Sequence, residues 1–141
     1  MGLFSWLFGN KEKFFFEGEG CFNQEVVGES NYQRHLKRLC GGYSKKGSRK
    51  QVVAELHYEN DNEYDDQAIR VDIDSCTIGY LSRADARKYR RKIEKTGHEG
   101  IIISCNAVIV GGKNLGLFNK TSFGVWLDLP INKLDEIVDL R

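Results

Sequence analysis

The run "QVVAELHYE" from Gln51 to Glu59 alternates strictly, with Val52, Ala54, Leu56 and Tyr58 on one side and Val53, Glu55, His57 and Glu59 on the other. Successive side chains of a strand point to opposite faces, so this segment is a strand with one face on a core and one in water. Such a strand needs neighbours, and the chain supplies β-rich runs on both sides of it: "FNQEVVGES", "AIRVDI", "TIGYL", "GIIISCNAVIVGG" and "TSFGVWLDL". Asp74-Ser75 forms a tight turn that makes a hairpin of "AIRVDI" and "TIGYL".

Three brief helices separate these runs. In "YQRHLKRLC", Tyr32, Leu36 and Leu39 share a face, Arg34, Lys37 and Arg38 lie off it, and Ser30 or Asn31 supplies an N-cap. A second helix opens at Ser82, with Asp85 three residues on as an approximate capping box, and ends at Gly97. Its apolar stripe is narrow (Ala86, Tyr89, Ile93), and Arg83, Arg87, Lys88, Arg90, Arg91, Lys92 and Lys95 occupy the rest. Pro130 closes the last strand before "INKLDEIVDL", a short final helix. The order β-α-β-β-β-α-β-β-α does not suit a doubly wound parallel sheet. The expected fold is mainly β with short helices (α+β), a small OB-like or SH3-like curved β-barrel of about six strands with two to three helices.

A chain of 141 residues is one domain by length. Residues 21–141 read as that domain, and residues 1–20 as an N-terminal aromatic segment carrying Phe4, Trp6, Leu7 and Phe8. The opening fits neither a signal peptide nor a myristoylation site, since Trp6 stands where Ser or Thr is required. Two readings of it stay open: a terminal segment packed on the domain or loose, and an interfacial tether to a membrane or a partner groove. No apolar run approaches the length of about 20 residues that spans a bilayer, so integral membrane association is not expected. Cys21, Cys40, Cys76 and Cys105 form no metal-ligand spacing and read as reduced thiols of a cytoplasmic chain, expected to be a monomer without a cofactor.

Charge is segregated although its net value is only +1. Arg34 to Lys50 holds seven Lys/Arg and no acid, Glu55 to Asp74 holds eight Asp/Glu and one base, and Arg83 to Lys95 holds seven Lys/Arg against two acids. Within the acidic block, Asp61, Glu63, Asp65 and Asp66 surround Tyr64. A calcium loop of the EF-hand type would need Gly and Glu where Asp66 and Asp72 stand. No catalytic motif accompanies Asp65 and Asp66, and the three histidines sit in unrelated contexts, so no catalytic residue is assigned and a non-enzymatic protein is expected.

Basic blocks neutralise phosphates, and Tyr32, Tyr43, Tyr64 and Tyr80 offer stacking faces. A basic amphipathic helix is equally often just a solvated face. Carboxylates repel phosphates, which makes the acidic loop the odd member of such a surface. An ionised aspartate is an acceptor-only group, so Asp65 would gain a charge-assisted hydrogen bond from a terminal 3′-hydroxyl and meet only repulsion from a continuing backbone.

The segments "VVGESNY", "AELHYENDNEYDDQAIRV" and "IGYLSRADARKY" together resemble the HIRAN domain, over about Val26 to Val110. That family has an early Gly-containing strand, a hairpin loop of Asn-Pro-Tyr-Asp type before Ala-Ile-x-Val, and a Gly-Tyr/His-Leu step before a helix. The resemblance implies an OB-like barrel that captures the 3′ end of single-stranded DNA in DNA repair or processing, with a helicase or nuclease supplied by another protein. By position, Asn62, Tyr64 and Asp65 match the end-binding loop, Tyr64 stacking on a terminal base and Asp65 accepting from the 3′-hydroxyl. Arg83 falls at a phosphate contact and Tyr80 follows the matching Gly79, while Ser30, Asn31, Tyr32 and Arg87 complete the expected DNA-binding set. Glu63 replaces the loop proline, Ser30 and Asn31 occupy a basic and tyrosine-rich stretch, and Val110 replaces an aromatic. The alternative expectation is a protein-interaction or membrane-peripheral adaptor built on the same barrel.

Overall fold

The computed structural model describes residues 13–137. Its strands are β1 (Lys13–Phe16), β2 (Gln24–Glu25), β3 (Ser48–Glu59), β4 (Ala68–Ile73), β5 (Cys76–Tyr80), β6 (Ile102–Gly111) and β7 (Phe123–Leu127). Helix α1 (Gln33–Cys40) follows a 3₁₀ turn at Glu29–Tyr32, α2 is Arg83–Lys95, and α3 (Leu134–Ile137) follows a 3₁₀ turn at Ile131–Lys133. The fold is the expected one: mostly strands, three short helices, and a curled antiparallel sheet in the order β2-β7-β6-β3-β4-β5.

Strand β3 is the spine of the sheet. Its first part pairs with β6, from Ser48–Gly111 to Leu56–Ile103, and its last part pairs with β4, from Ala54–Ile73 to Glu59–Ala68. Its alternation is obeyed, since Ala54, Leu56 and Tyr58 are buried while Glu55, His57 and Glu59 face outward on the partly exposed side. The turn at Asp74-Ser75 has both residues at positive φ (54° and 63°), as a two-residue hairpin loop requires.

The two ends of this sheet meet. Val27, just beyond β2, bridges to Tyr80 of β5: Val27 N–H donates to the Tyr80 carbonyl at 2.8 Å, and Tyr80 N–H donates back at 2.9 Å. Gly79 makes the approach possible. A β-carbon there would sit 2.6 Å from Val26 Cγ1 and 2.7 Å from the Val27 carbonyl oxygen. The interior is filled by Leu56, Ile69, Ile78, Ile103, Ile109 and Leu127 from the strands, with Leu36 of α1 and Ala86, Tyr89 and Ile93 of α2. Each large side chain removed from water in this way contributes roughly 1.5–3 kcal/mol.

Two local expectations change. Strand β1 adds a parallel pairing to the first half of β6 (Lys13–Ile102 to Phe16–Cys105), on the edge whose second half pairs with β7. Phe16 is thereby buried, so the chain joins the core before residue 21; residues 1–12 of the aromatic segment lie outside the described residues. Neither Ser30 nor Asn31 caps α1 through its side chain. The chain turns at Gly28 (φ 76°) into the 3₁₀ turn, which continues directly into α1 and leaves both residues inside it. Gln33 instead anchors the helix start, donating to the Phe123 carbonyl at 2.9 Å and accepting from Phe123 N–H at 2.8 Å. At α2 the cap is as read, with Ser82 Oγ accepting from Asp85 N–H at 3.1 Å, but the Asp85 carboxylate accepts from Gln24 at 2.9 Å.

Closure at Gly79 gives a direct test. Gly79→Ala forces β2 away from β5 and should lower stability by about 1–3 kcal/mol. Urea unfolding followed by circular dichroism should show a lower midpoint with an unchanged slope.

Candidate functional site

Strand β3 ends at Glu59, and the acidic segment that follows is built around Asn62. Asn62 Oδ1 accepts from the N–H groups of both Tyr64 and Asp65 at 2.9 Å, while Nδ2 donates to Glu59 Oε1 at 2.8 Å. An asparagine side chain folded over its own backbone fixes a turn without proline, so Glu63 does not leave the loop undefined. Tyr64 stands out from this turn with 79% of its surface exposed.

Helix α2 stitches the loop down with three arginines. Arg83, Arg87 and Arg90 recur at helical spacing and therefore share a face. Arg83 Nη2 donates to the Tyr64 carbonyl at 2.7 Å. Arg87 grips the Asp65 carboxylate with both terminal nitrogens, at 3.1 Å and 3.0 Å, and Gln67 N–H adds a third bond to Oδ1 at 3.1 Å. Arg90 donates to Asn60 Oδ1 and to the Ala68 carbonyl, both at 2.8 Å, and its guanidinium lies 4.3 Å from the Tyr58 ring centre. The basic face is therefore not wholly solvated: Arg90 is buried, because the loop and Tyr58 cover it.

These contacts answer the electrostatic puzzle of the acidic stretch. Hydrogen bonds from Arg87 hold the Asp65 carboxyl below its ordinary value and raise Arg87 in return. Asp65 stays an ionised acceptor, and three bonds occupy it. A carboxylate has about four acceptor positions, so one remains, on Oδ2.

Glu59 is the second anchor. It accepts from Asn62, from the Tyr80 hydroxyl at 2.7 Å and from Arg70 Nη1 at 3.2 Å. Burial pushes its carboxyl up, but the three donors outweigh burial and leave it below the ordinary value. Tyr80 is driven well upward by burial and by its bond to Glu59, with the neighbouring Tyr32 hydroxyl adding to the rise. Arg70 also clamps Asp72 through Nε and Nη2 at 3.0 Å and 3.1 Å, and Thr77 donates to Asp72 at 3.1 Å. His57 Nε2 lies 3.0 Å from Glu55 and 3.7 Å from Asp72. The outer face of the β3-β4-β5 hairpin is thus one ladder of paired charge.

The structure brings most of the sequence-selected residues to one end of the sheet. Asn62, Tyr64, Asp65, Arg83 and Arg87 are joined directly, and Tyr80 joins them through Glu59. Tyr32 reaches Tyr80 because the Val27 bridge delivers the 3₁₀ turn there, with exposed Ser30 and Asn31 in the same turn. Tyr43 makes no contact with the loop residues: it stacks on Phe123 at 5.3 Å, the residue whose backbone Gln33 binds. Val110 is likewise remote, opposite Arg49 near the far end of β6. Glu59, Arg70 and Arg90 are structurally central yet were not singled out by sequence. Glu59 was legible only as a polar position on an alternating strand, since its partners come from other strands.

Among the described residues, no group of three or more His, Cys, Asp or Glu side chains is arranged to hold a metal ion. Among them also, no helix is long and apolar enough to cross a membrane. Comparison of the chain with protein-family models, curated proteins and solved structures finds no match.

The depressed carboxyls set a pH dependence. Asp65 and Glu59 favour the folded state in their ionised forms, so their contribution is complete above the ordinary values of 3.8 and 4.5 and is lost as pH falls through the lower folded values. In a carboxyl ¹³C NMR titration, Asp65 should titrate below 3.8 in the native chain and move up toward that value in Arg87→Gln.

Proposed function

We propose that this chain is a non-enzymatic module that binds the 3′-hydroxyl end of single-stranded DNA, for use in DNA repair or processing. The observation that supports it most is the joining of Tyr64, Asp65, Arg83 and Arg87 in one hydrogen-bonded unit with an exposed ring at its tip. Tyr64 offers a stacking face to a terminal base. Arg83 lies beside it as a phosphate partner, and Asp65 keeps one acceptor position for a sugar hydroxyl. A phosphate in place of that hydroxyl would bring negative charge against a carboxylate.

In this reading Arg87 positions Asp65 and keeps it ionised. Tyr32 and Tyr80 form the wall next to the loop, and Ser30 and Asn31 line the rim of the same turn. The likeness to the HIRAN pattern points the same way, as does the curved barrel. The enzyme that acts on the captured end would be a helicase or nuclease on another protein.

Fluorescence anisotropy with oligonucleotides ending in 3′-hydroxyl or 3′-phosphate separates end recognition from general affinity. The hydroxyl end should bind more tightly, and equal affinity for the two ends removes the claim. Tyr64→Ala should weaken binding by about 5- to 150-fold, the equivalent of roughly 1–3 kcal/mol for one stacked base. Arg83→Ala should weaken both ends alike, whereas Asp65→Asn should erase the difference between them. Labelled DNA incubated with Mg²⁺ or Mn²⁺ should remain intact; cleavage that purifies with the protein would overturn the non-enzymatic assignment.

A further inference from the structure

The hairpin between β6 and β7 ends in "KNLGLFNK", Lys113–Lys120, which carries three of the large apolar side chains most open to water. Leu115 is 57% exposed, Leu117 95% and Phe118 fully so. Single exposed leucines are ordinary on protein surfaces, but three on one tip form a patch that calls for a partner. Leu117 and Phe118 also both have positive φ, 33° and 67°. Glycine or asparagine serves such positions with less strain, so turn geometry gives no reason for bulky apolar residues there.

The tip is not a loose loop. Leu115 N–H donates to the Asn119 carbonyl at 2.8 Å and Asn119 N–H to the Gly116 carbonyl at 2.7 Å. Below it, Thr121 N–H donates to Lys113 at 2.9 Å, and Asn114 N–H ties the hairpin to the Ser44 carbonyl at 2.8 Å. The backbone that carries the apolar side chains is thus held by its own hydrogen bonds.

A ring of one charge surrounds them. The Ser44–Lys113 bridge brings the 44–47 turn, with Lys45 and Lys46, beside the hairpin. Lys37 and Lys120 both lie over the Tyr43 ring, at 5.2 Å and 5.0 Å. Neither Arg34–Lys50 nor Ile101–Leu127 contains a single acid. Among the described residues, Lys37, Lys45, Lys46, Lys113 and Lys120 make no ion pair with a carboxylate.

We propose that this end of the barrel docks on an anionic lipid bilayer, Leu115, Leu117 and Phe118 entering the headgroup boundary while the lysine ring meets acidic lipid. Apolar side chains projecting from a polybasic rim are the composition that such an interface selects. Nucleic acid would use the lysines but not the tip, because two of its three apolar side chains are leucines without a stacking face. The surface is separate from the loop at Glu59. It lies beside the Ser48 end of β3, whereas the loop follows Glu59 at the other end of that strand of 12 residues.

Co-sedimentation of the full chain with phosphatidylcholine vesicles, with and without phosphatidylserine, tests the proposal. The native chain should partition to the acidic vesicles alone, and less so as salt is raised. The double variant Leu117→Ser/Phe118→Ser and the double variant Lys113→Glu/Lys120→Glu should each lose about tenfold or more, with thermal transitions unchanged because the side chains are solvent-facing. Native-like sedimentation of both variants overturns it, and would place any lipid affinity elsewhere in the chain. Weakened binding of an oligonucleotide by both variants, with vesicle binding intact, overturns it in favour of a nucleic-acid surface. Binding at the 3′-end loop is read separately through Tyr64→Ala, so either proposal fails without the other.

Discussion

The meeting of Val27 with Tyr80 is the constraint on which the candidate site depends. Two hydrogen bonds join the first and last strands of the curled sheet, and they form only because Gly79 has no side chain to hold the backbones apart. The residues just beyond Val27 then turn through Gly28 into the 3₁₀ segment that carries Ser30, Asn31 and Tyr32. Tyr80, in the other strand of the bridge, holds Glu59. Without closure, the turn before α1 and Tyr80 would lie on opposite edges of an open sheet.

The acidic loop illustrates how a charge pattern changes meaning once it is folded. Eight carboxylates between Glu55 and Asp74 look self-repulsive in one dimension. In three, the ones that matter structurally are each given a cation: Asp65 has Arg87, while Glu59 and Asp72 share Arg70. The carboxylates of these pairs are largely removed from water, so their attraction to the arginines is offset by the cost of desolvation. Their effect is geometric, because bidentate arginine bonds fix the orientation of a carboxylate as well as its charge. Asp61, Glu63 and Asp66 remain exposed around Tyr64, and they keep the field at the tip of the loop negative.

Much of the scaffold was legible because it follows from local rules. The period-two pattern of β3, the Asp74-Ser75 turn and the Ser82 cap are each set by neighbours a few residues away, and each forms as expected. Strand β1 was not legible, since "KFFF" has no alternation to separate it from a loose apolar terminus. Its pairing is parallel and depends on the free half-edge of β6. The cap of α1 was misplaced for a related reason: Ser30 and Asn31 have capping chemistry, but the positive φ at Gly28 starts the turn earlier. The candidate site was legible in its loop and in Arg83 through the resemblance to the HIRAN pattern, and illegible in Arg90, whose burial comes from a loop more than twenty residues upstream folding back over α2.

The sequence by itself determined a curved sheet of half-buried strands, the segregation of charge into blocks and a loop in which Asn62, Tyr64 and Asp65 stand together. These are one-dimensional properties, written in periodicity and in residue type. Only the tertiary structure decided what the charges face. It turned a basic helix into a set of clamps on an acidic loop, placed Tyr32 against Tyr80, and sent Tyr43, Leu117 and Phe118 to the opposite end of β3. The physical reason is that a carboxylate and a guanidinium act over a few ångströms, and distances of that size between remote residues are set by strand pairing and closure.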